Sequence, residues 1–342
     1  MNKVYNTVWN ESTGMWVVTS ELTRKGGRRP RQIRRTALAG LIAGLLLPSA
    51  PALATNYNNE TLESGGTSSS MSLSAGDTAT NTTINSGGYQ YVSSGGSATG
   101  TTINSGGYQY VSSGGSATST TISGGLQDVS SGGSATSTTI NSGGQQRVSS
   151  GGSATSTTIN SGGVLWGYSG GTAVDITQNS GGIIFADTSD TLRGTNINGS
   201  FSIAGGSASN MLLENGGYLS VLNGHQATST TINSGGQQPV SSGGSATGTT
   251  INSGGFQYVY SGGSATSTTI NSDGQQRVSS GGSATSTTIN SGGGQWVSSG
   301  GSATSTTINS GGYQDVYSGG SATSTTINSG GYQDVYSGGS AT

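Results

Sequence analysis

The chain has 342 residues, of which 64 are glycine, 29% hydrophobic and 7% charged. It contains no cysteine, which excludes disulfides, thiolate metal sites and cysteine nucleophiles. The formal charge of −2 hides an asymmetry: eight of the eleven basic residues precede Thr55, and beyond Ala54 there remain Arg147, Arg193, Arg277, no lysine and eleven acidic residues. So cation-poor a segment excludes nucleic acid as a partner, because that binding replaces counterions with clustered Lys and Arg.

The N-terminal residues read as a leader. Residues 24–35, RKGGRRPRQIRR, form a basic region, and residues 36–47, TALAGLIAGLLL, an apolar run. PSAPALA follows, placing Ala52 and Ala54 at −3 and −1 of a cut before Thr55, the pattern of a signal peptide. The apolar run is too short to remain as a spanning helix. An additional segment, MNKVYNTVWNESTGMWVVTSELTR, precedes the basic region. Its Met1-Asn2-Lys3-Val4-Tyr5 and Val8-Trp9-Asn10 resemble the extended signal peptide of large type V autotransporters of Gram-negative bacteria. The domain reading is therefore residues 1–54 as leader and 55–342 as the exported segment.

From residue 80 onward a unit of nineteen residues dominates, as in TTINSGGYQYVSSGGSATS at Thr101–Ser119. Its isoleucine returns at Ile84, Ile103, Ile122, Ile140 and Ile159, then at Ile232, Ile251, Ile270, Ile289, Ile308 and Ile327. Its valine follows eight residues later, from Val92 to Val335. One such unit cannot bury an apolar face, but stacked units can. The expected fold is all-β, a right-handed parallel β-helix, the hand taken from the usual crossover preference. Short β-rich runs at Thr80–Ile84 and Tyr89–Val92 alternate with NSGG and SSGG corners, where glycine supplies positive φ. Residues 55–342 then make roughly fifteen rungs, about 4.8 Å apart.

Alternation sorts the columns. Val92 faces inward, so Gln90 does too, while Tyr89 and Tyr91 face out. The column before the valine holds Tyr91, Asp128, Arg147, Trp166, Pro239, Arg277 and Asp315 among others, a mixture expected of a solvent ridge. The column two before the valine is nearly all glutamine, which suits a buried amide ladder. Ala98 and its copies form a third inward stack. Ala98 and Ile103 differ in parity, so a bend must separate them. Pro239 removes one ladder donor.

Regular repeats cover 80–163 and 227–342, with diverged rungs over 164–226 and a protruding loop expected near Asp187–Asn198. The sole histidine, His225, falls at a turn and reads as a surface residue. Asp315 and Asp334, one rung apart, read as a solvated pair, and Asp128 beside Arg147 as an exposed attraction worth at most about 1 kcal/mol. Tyr258, Arg277 and Trp296 read as a cation–π column. The many outward tyrosines suit either ladder stacking or a sticky surface for another copy or a host glycan. No catalytic, cofactor or metal site is expected. The chief alternatives are a polysaccharide-acting β-helix enzyme, disfavoured because paired carboxylates need a cleft, and an ice-binding solenoid.

Leader and repeat together resemble the self-associating, AIDA-type autotransporter adhesins of pathogenic Escherichia coli. The resemblance implies a surface adhesin and invasin promoting host-cell adhesion, autoaggregation and biofilm, with self-association and a host-cell receptor as contacts and no enzymatic activity. It implies Sec export through the periplasm to the cell surface. It also implies serine O-heptosylation in the cytoplasm by a dedicated heptosyltransferase. Acceptors by that resemblance are corner serines such as Ser86, Ser94, Ser105, Ser113, Ser142, Ser150, Ser253 and Ser310. Members of the family end in an outer-membrane β-barrel, whereas this sequence stops within a repeat, so a fragment is expected.

Overall fold

The computed structural model describes the strands Tyr5–Asn10 and Met15–Ser20 and all residues from Leu53 to Thr342. The basic and apolar stretches of the leader lie outside the described residues. Tyr5–Asn10 and Met15–Ser20 pair antiparallel, with Val8 opposite Val17 and Trp9 opposite Trp16. Compactness divides the chain into Met1–Ala52 and Leu53–Thr342.

Leu53–Thr342 is an all-strand β-solenoid of about 15 turns, in agreement with the expected architecture. A representative rung has three strands: Thr102–Asn104 carries the isoleucine, Tyr108–Val111 the valine and Ser116–Thr118 the alanine. The valine strands, from Ser70–Leu73 to Tyr332–Val335, form one 14-stranded sheet. Like pairs with like in parallel: Ile103 with Ile84, Val111 with Val92, Ala117 with Ala98. These residues are at most 1% exposed, and most of the isoleucine column joins with valines and alanines of the earlier rungs in one core cluster, while Val259, Ala265, Val278 and Ala284 form a second.

The two glycines of each SSGG corner do different things. In Ser112–Gly115, Ser113 and Gly114 adopt left-handed conformations (φ 48° and 79°) and Gly115 N donates to Ser112 O at 2.8 Å. A Cβ on Gly114 would meet only open space, whereas one on Gly115 would collide with the Val92 carbonyl of the rung below. Backbone freedom fixes the first glycine and close rung-to-rung approach the second.

The parity bend lies where alternation requires it. Thr99 and Thr102 are separated by a corner at Gly100, occupied in later rungs by Ser119, Ser137, Ser156 and others with φ near 57°. This corner divides the expected run at Thr80–Ile84 into two strands, Thr78–Thr80 and Thr83–Ile84. One rung is a residue short: Ser123-Gly124-Gly125 replaces the four-residue NSGG corner, yet Ile122 still pairs with both Ile103 and Ile140. The missing residue is absorbed in the corner and the ladders run on.

The diverged segment remains in the solenoid but contains an antiparallel excursion. Thr191–Asn196 and Gly199–Ala204 form a hairpin, and Gly199–Ala204 then pairs antiparallel with Ser207–Ser209. The loop expected at Asp187–Asn198 is thus a β-hairpin extending to Ala204, with Ile197 79% exposed at its tip. Hydrogen bonding continues across these residues because each excursion strand pairs with the one before it.

Candidate functional surface

The glutamine column is a built polar core. Along Gln90, Gln109, Gln127 and Gln146, and again along Gln238 to Gln333, each amide Nε2 after the first of its run donates to the Oε1 one rung below at 2.5–2.9 Å. A threonine seven or eight positions earlier, as Thr268 before Gln276 or Thr120 before Gln127, is fully buried in every glutamine rung but the last, and sequence alternation did not single it out. Gln276 Nε2 also donates to Thr268 Oγ1 at 3.1 Å, and Thr287 Oγ1 donates to Gln276 Oε1 at 3.2 Å. Interior amides such as Gln257, Gln276 and Gln295 therefore make two donations and accept two bonds, which makes burial of an uncharged polar column tolerable. The signal available in the sequence was the unvarying TT pair, whose first member shares parity with the isoleucine.

Outside, the ridge is sheltered more than expected. Asp315 pairs with Asp334 as predicted, but it is only 8% exposed and is not a solvated carboxylate. Burial raises its pKa; the hydrogen bond from Tyr317 Oη at 3.4 Å opposes this and the Asp334 charge adds to it. Asp128 and Arg147 are register neighbours, yet both are half-buried, and Arg147 Nε is enclosed without a partner. Burial raises the Asp128 pKa and the Arg147 charge lowers it. Pro239 is also covered, and the strand pairing beneath it shrinks to Tyr218 with Gln237 plus a bridge from Val221 to Val240. Local alternation gives the direction of a ridge side chain but not its burial.

The tyrosines stack rung on rung. Tyr89 with Tyr108 and Tyr91 with Tyr110 both have centroids 5.3 Å apart and planes within 10°. Arg277 lies 6.0 Å from both Phe256 and Tyr258 and 5.8 Å from Trp296, so the expected cation–π column holds and gains Phe256.

All eight sequence-predicted serines, Ser86, Ser94, Ser105, Ser113, Ser142, Ser150, Ser253 and Ser310, are exposed at corners. The third corner adds another exposed hydroxyl series, Ser119, Ser137, Ser156, Ser229, Ser267, Ser286, Ser305 and Ser324, all with positive φ. His225 sits at a turn but is half-buried, its Nδ1 2.9 Å from Thr188 Oγ1. Nearby, Asp190 is buried; its Oδ2 accepts from Asp187 N at 2.8 Å and its Oδ1 has no partner. Its pKa is pushed up to about 6, chiefly by burial. A cleft of about 690 Å³ opens beside the hairpin, with Asp175 and Arg193 as its charged lining residues. Among the described residues, no cluster of three or more His, Asp or Glu is placed to hold a metal ion.

A solenoid with stacked aromatics and hydroxyl-bearing corners defines a repetitive display surface, and the comparisons place it in a family. The family described as adhesin of bacterial autotransporter system, probable stalk, matches residues 56–107, 193–255, 252–312 and 294–342. The extended signal peptide of type V secretion system matches residues 1–50. The chain belongs to the autotransporter adhesins. It is 83% identical over 221 residues to autotransporter CRAC of Citrobacter rodentium (strain ICC168), covering 65% of this chain and 13% of that protein. It is 80% identical over 92 residues to the autotransporter adhesin/invasin TibA of Escherichia coli O78:H11 (strain H10407 / ETEC), covering 27% of this chain and 9% of that protein. The crystal structure of a hyper-glycosylated TibA fragment, its glycosylation catalysed by TibC, aligns over 84% of this chain and 100% of the fragment. That alignment has 54% identity and a TM-score of 0.54.

Proposed function

We propose that this segment is the surface-exposed passenger of an adhesin and invasin, mediating host-cell adhesion, autoaggregation and biofilm formation. It is exported through the periplasm after cleavage between Ala54 and Thr55. A cytoplasmic heptosyltransferase modifies its corner serines before export, and the segment itself performs no catalysis. The observation that carries this reading is the exposed serine at successive corners, on a chain 54% identical to a TibC-glycosylated fragment. A non-catalytic role is supported by the cleft beside the hairpin, which brings one carboxylate where glycoside hydrolysis generally needs two.

Intact mass and peptide mapping after co-expression with a TibC-type transferase test the proposal. The expected result is a ladder of heptose additions on peptides containing Ser86, Ser105 or Ser253. An unmodified mass removes the glycoprotein reading. Equal settling of cells with and without the displayed segment removes the aggregation reading.

A further inference from the structure

The residue after each valine is usually serine, but Tyr260 and Tyr317 are aromatic, with Ser279 and Ser298 between them. Three rungs separate the two tyrosines, about 14 Å. Tyr317 stacks on Tyr336 with centroids 4.6 Å apart and planes within 5°, so its other face looks along the axis toward Ser298. Tyr260, just past the end of the strand that carries Tyr258, lies parallel to that ring within 4°. Its upper face therefore looks toward Ser279. Tyr260 is 43% and Tyr317 37% exposed. Arg277 and Trp296 close one side of the notch, which encloses about 380 Å³. That volume falls within the range of small-molecule sites.

The notch differs from the rest of the aromatic surface. In the Tyr89–Tyr108 and Tyr91–Tyr110 stacks, tyrosines on adjacent rungs cover one face of each other, so no gap opens between them. Here two ring faces stay open. The Arg277 guanidinium is held between aromatic rings and donates from Nη2 to Gln275 Oε1 at 3.2 Å, while the residue remains exposed. The side chain is thus oriented yet still available to an anion. A second notch, lined by Ser130, Ser149 and Tyr168, has a single tyrosine wall, and there Asp128 offsets Arg147.

We propose that the Tyr260–Tyr317 notch binds a carboxylate-bearing pyranose. The C–H face of the sugar stacks on a tyrosine ring, its carboxylate meets the Arg277 guanidinium as a charge-assisted pair, and its hydroxyls reach Ser279 and Ser298. This rests on the adhesin reading and names its ligand class. Sialic and uronic acids share the required chemistry.

Titration of the purified chain with 3′-sialyllactose, a glucuronic-acid disaccharide and lactose, followed by tryptophan fluorescence and saturation-transfer NMR, tests the site. At least one acidic sugar should bind about tenfold more tightly than lactose, as expected for one charge-assisted contact, and the two acidic arms separate the sources. Arg277→Gln should erase that preference. The double variant Tyr260→Ser, Tyr317→Ser restores the residue common in this column and should abolish binding while far-ultraviolet circular dichroism still reports a folded solenoid, the lost stacks lowering the unfolding midpoint by only a few degrees. Equal affinity for lactose, undetectable binding, or binding unchanged in the double variant overturns the proposal. Cells displaying the double variant that still adhere like the parent leave adhesion standing and remove only the notch. Acidic-sugar binding without cell adhesion removes the adhesin reading instead.

Discussion

The regular rungs and the diverged middle solve one burial problem in two ways. In the regular rungs the interior pairs a glutamine column with a threonine column. In the middle the glutamine positions become Leu165, Ile184 and Leu219, and the partner positions change with them. Ile176 stands where threonine would donate to residue 165, and Met211 where threonine would accept from residue 219. Below the break, Gln146 Oε1 still accepts from Thr157 Oγ1 at 3.0 Å; above it, Gln238 Nε2 still donates to Thr230 Oγ1 at 2.9 Å. Both ladders therefore end with a satisfied amide. The network is kept whole or removed whole, as expected where a half-satisfied network costs more than an apolar core.

The largest test breaks the ladder from one side only. Gln276→Leu makes the column as apolar as it is at Leu165, but takes one bond each from Gln295 Nε2 and Gln257 Oε1 and removes the acceptor of the buried Thr287 hydroxyl. Chemical denaturation should show a loss of about 2–4 kcal/mol. The converse change, Leu219→Gln, should cost about 1–3 kcal/mol alone, because its amide would lack a threonine partner. Adding Met211→Thr should recover most of that loss, and additive effects would refute the coupling of the two columns.

A smaller effect concerns Asp190, a buried carboxyl of the irregular region. Its folded pKa of about 6 stands above the unfolded value of 3.8, so the native state holds the extra proton between these limits. Its contribution to stability is therefore present in acid and lost as pH rises from about 4 to 6. Asp190→Asn should raise stability by about 1–2 kcal/mol at pH 7.5 and flatten the profile across that window. An unchanged profile would place the pH dependence elsewhere. The smallest effect is Pro239→Tyr, which returns a ladder donor and should add about 0.5–1.5 kcal/mol, measured by urea titration.

The columns of isoleucine, valine, alanine and glutamine were legible because a strand has period two and the unit has a fixed length. The bend between Ala98 and Ile103 followed from parity alone. The buried threonines were not recognised, since Thr101 and Thr102 are identical in type and a corner placed by a left-handed residue decides which faces in. Ridge exposure also escaped local reading. Asp315 and Pro239 are buried and Arg147 half-buried, although alternation points all three outward. The corner serines were readable as exposed because turns must lie outside the core.

By itself, then, the sequence determined the rung, its columns and its corners, because each depends on backbone periodicity within about twenty residues. Only the tertiary structure decided which hydroxyls close the amide ladder, which ridge charges lose their water, and where two ring faces stay open across three rungs. Those outcomes depend on the vertical neighbours of each side chain. In a solenoid, those neighbours lie a full repeat away.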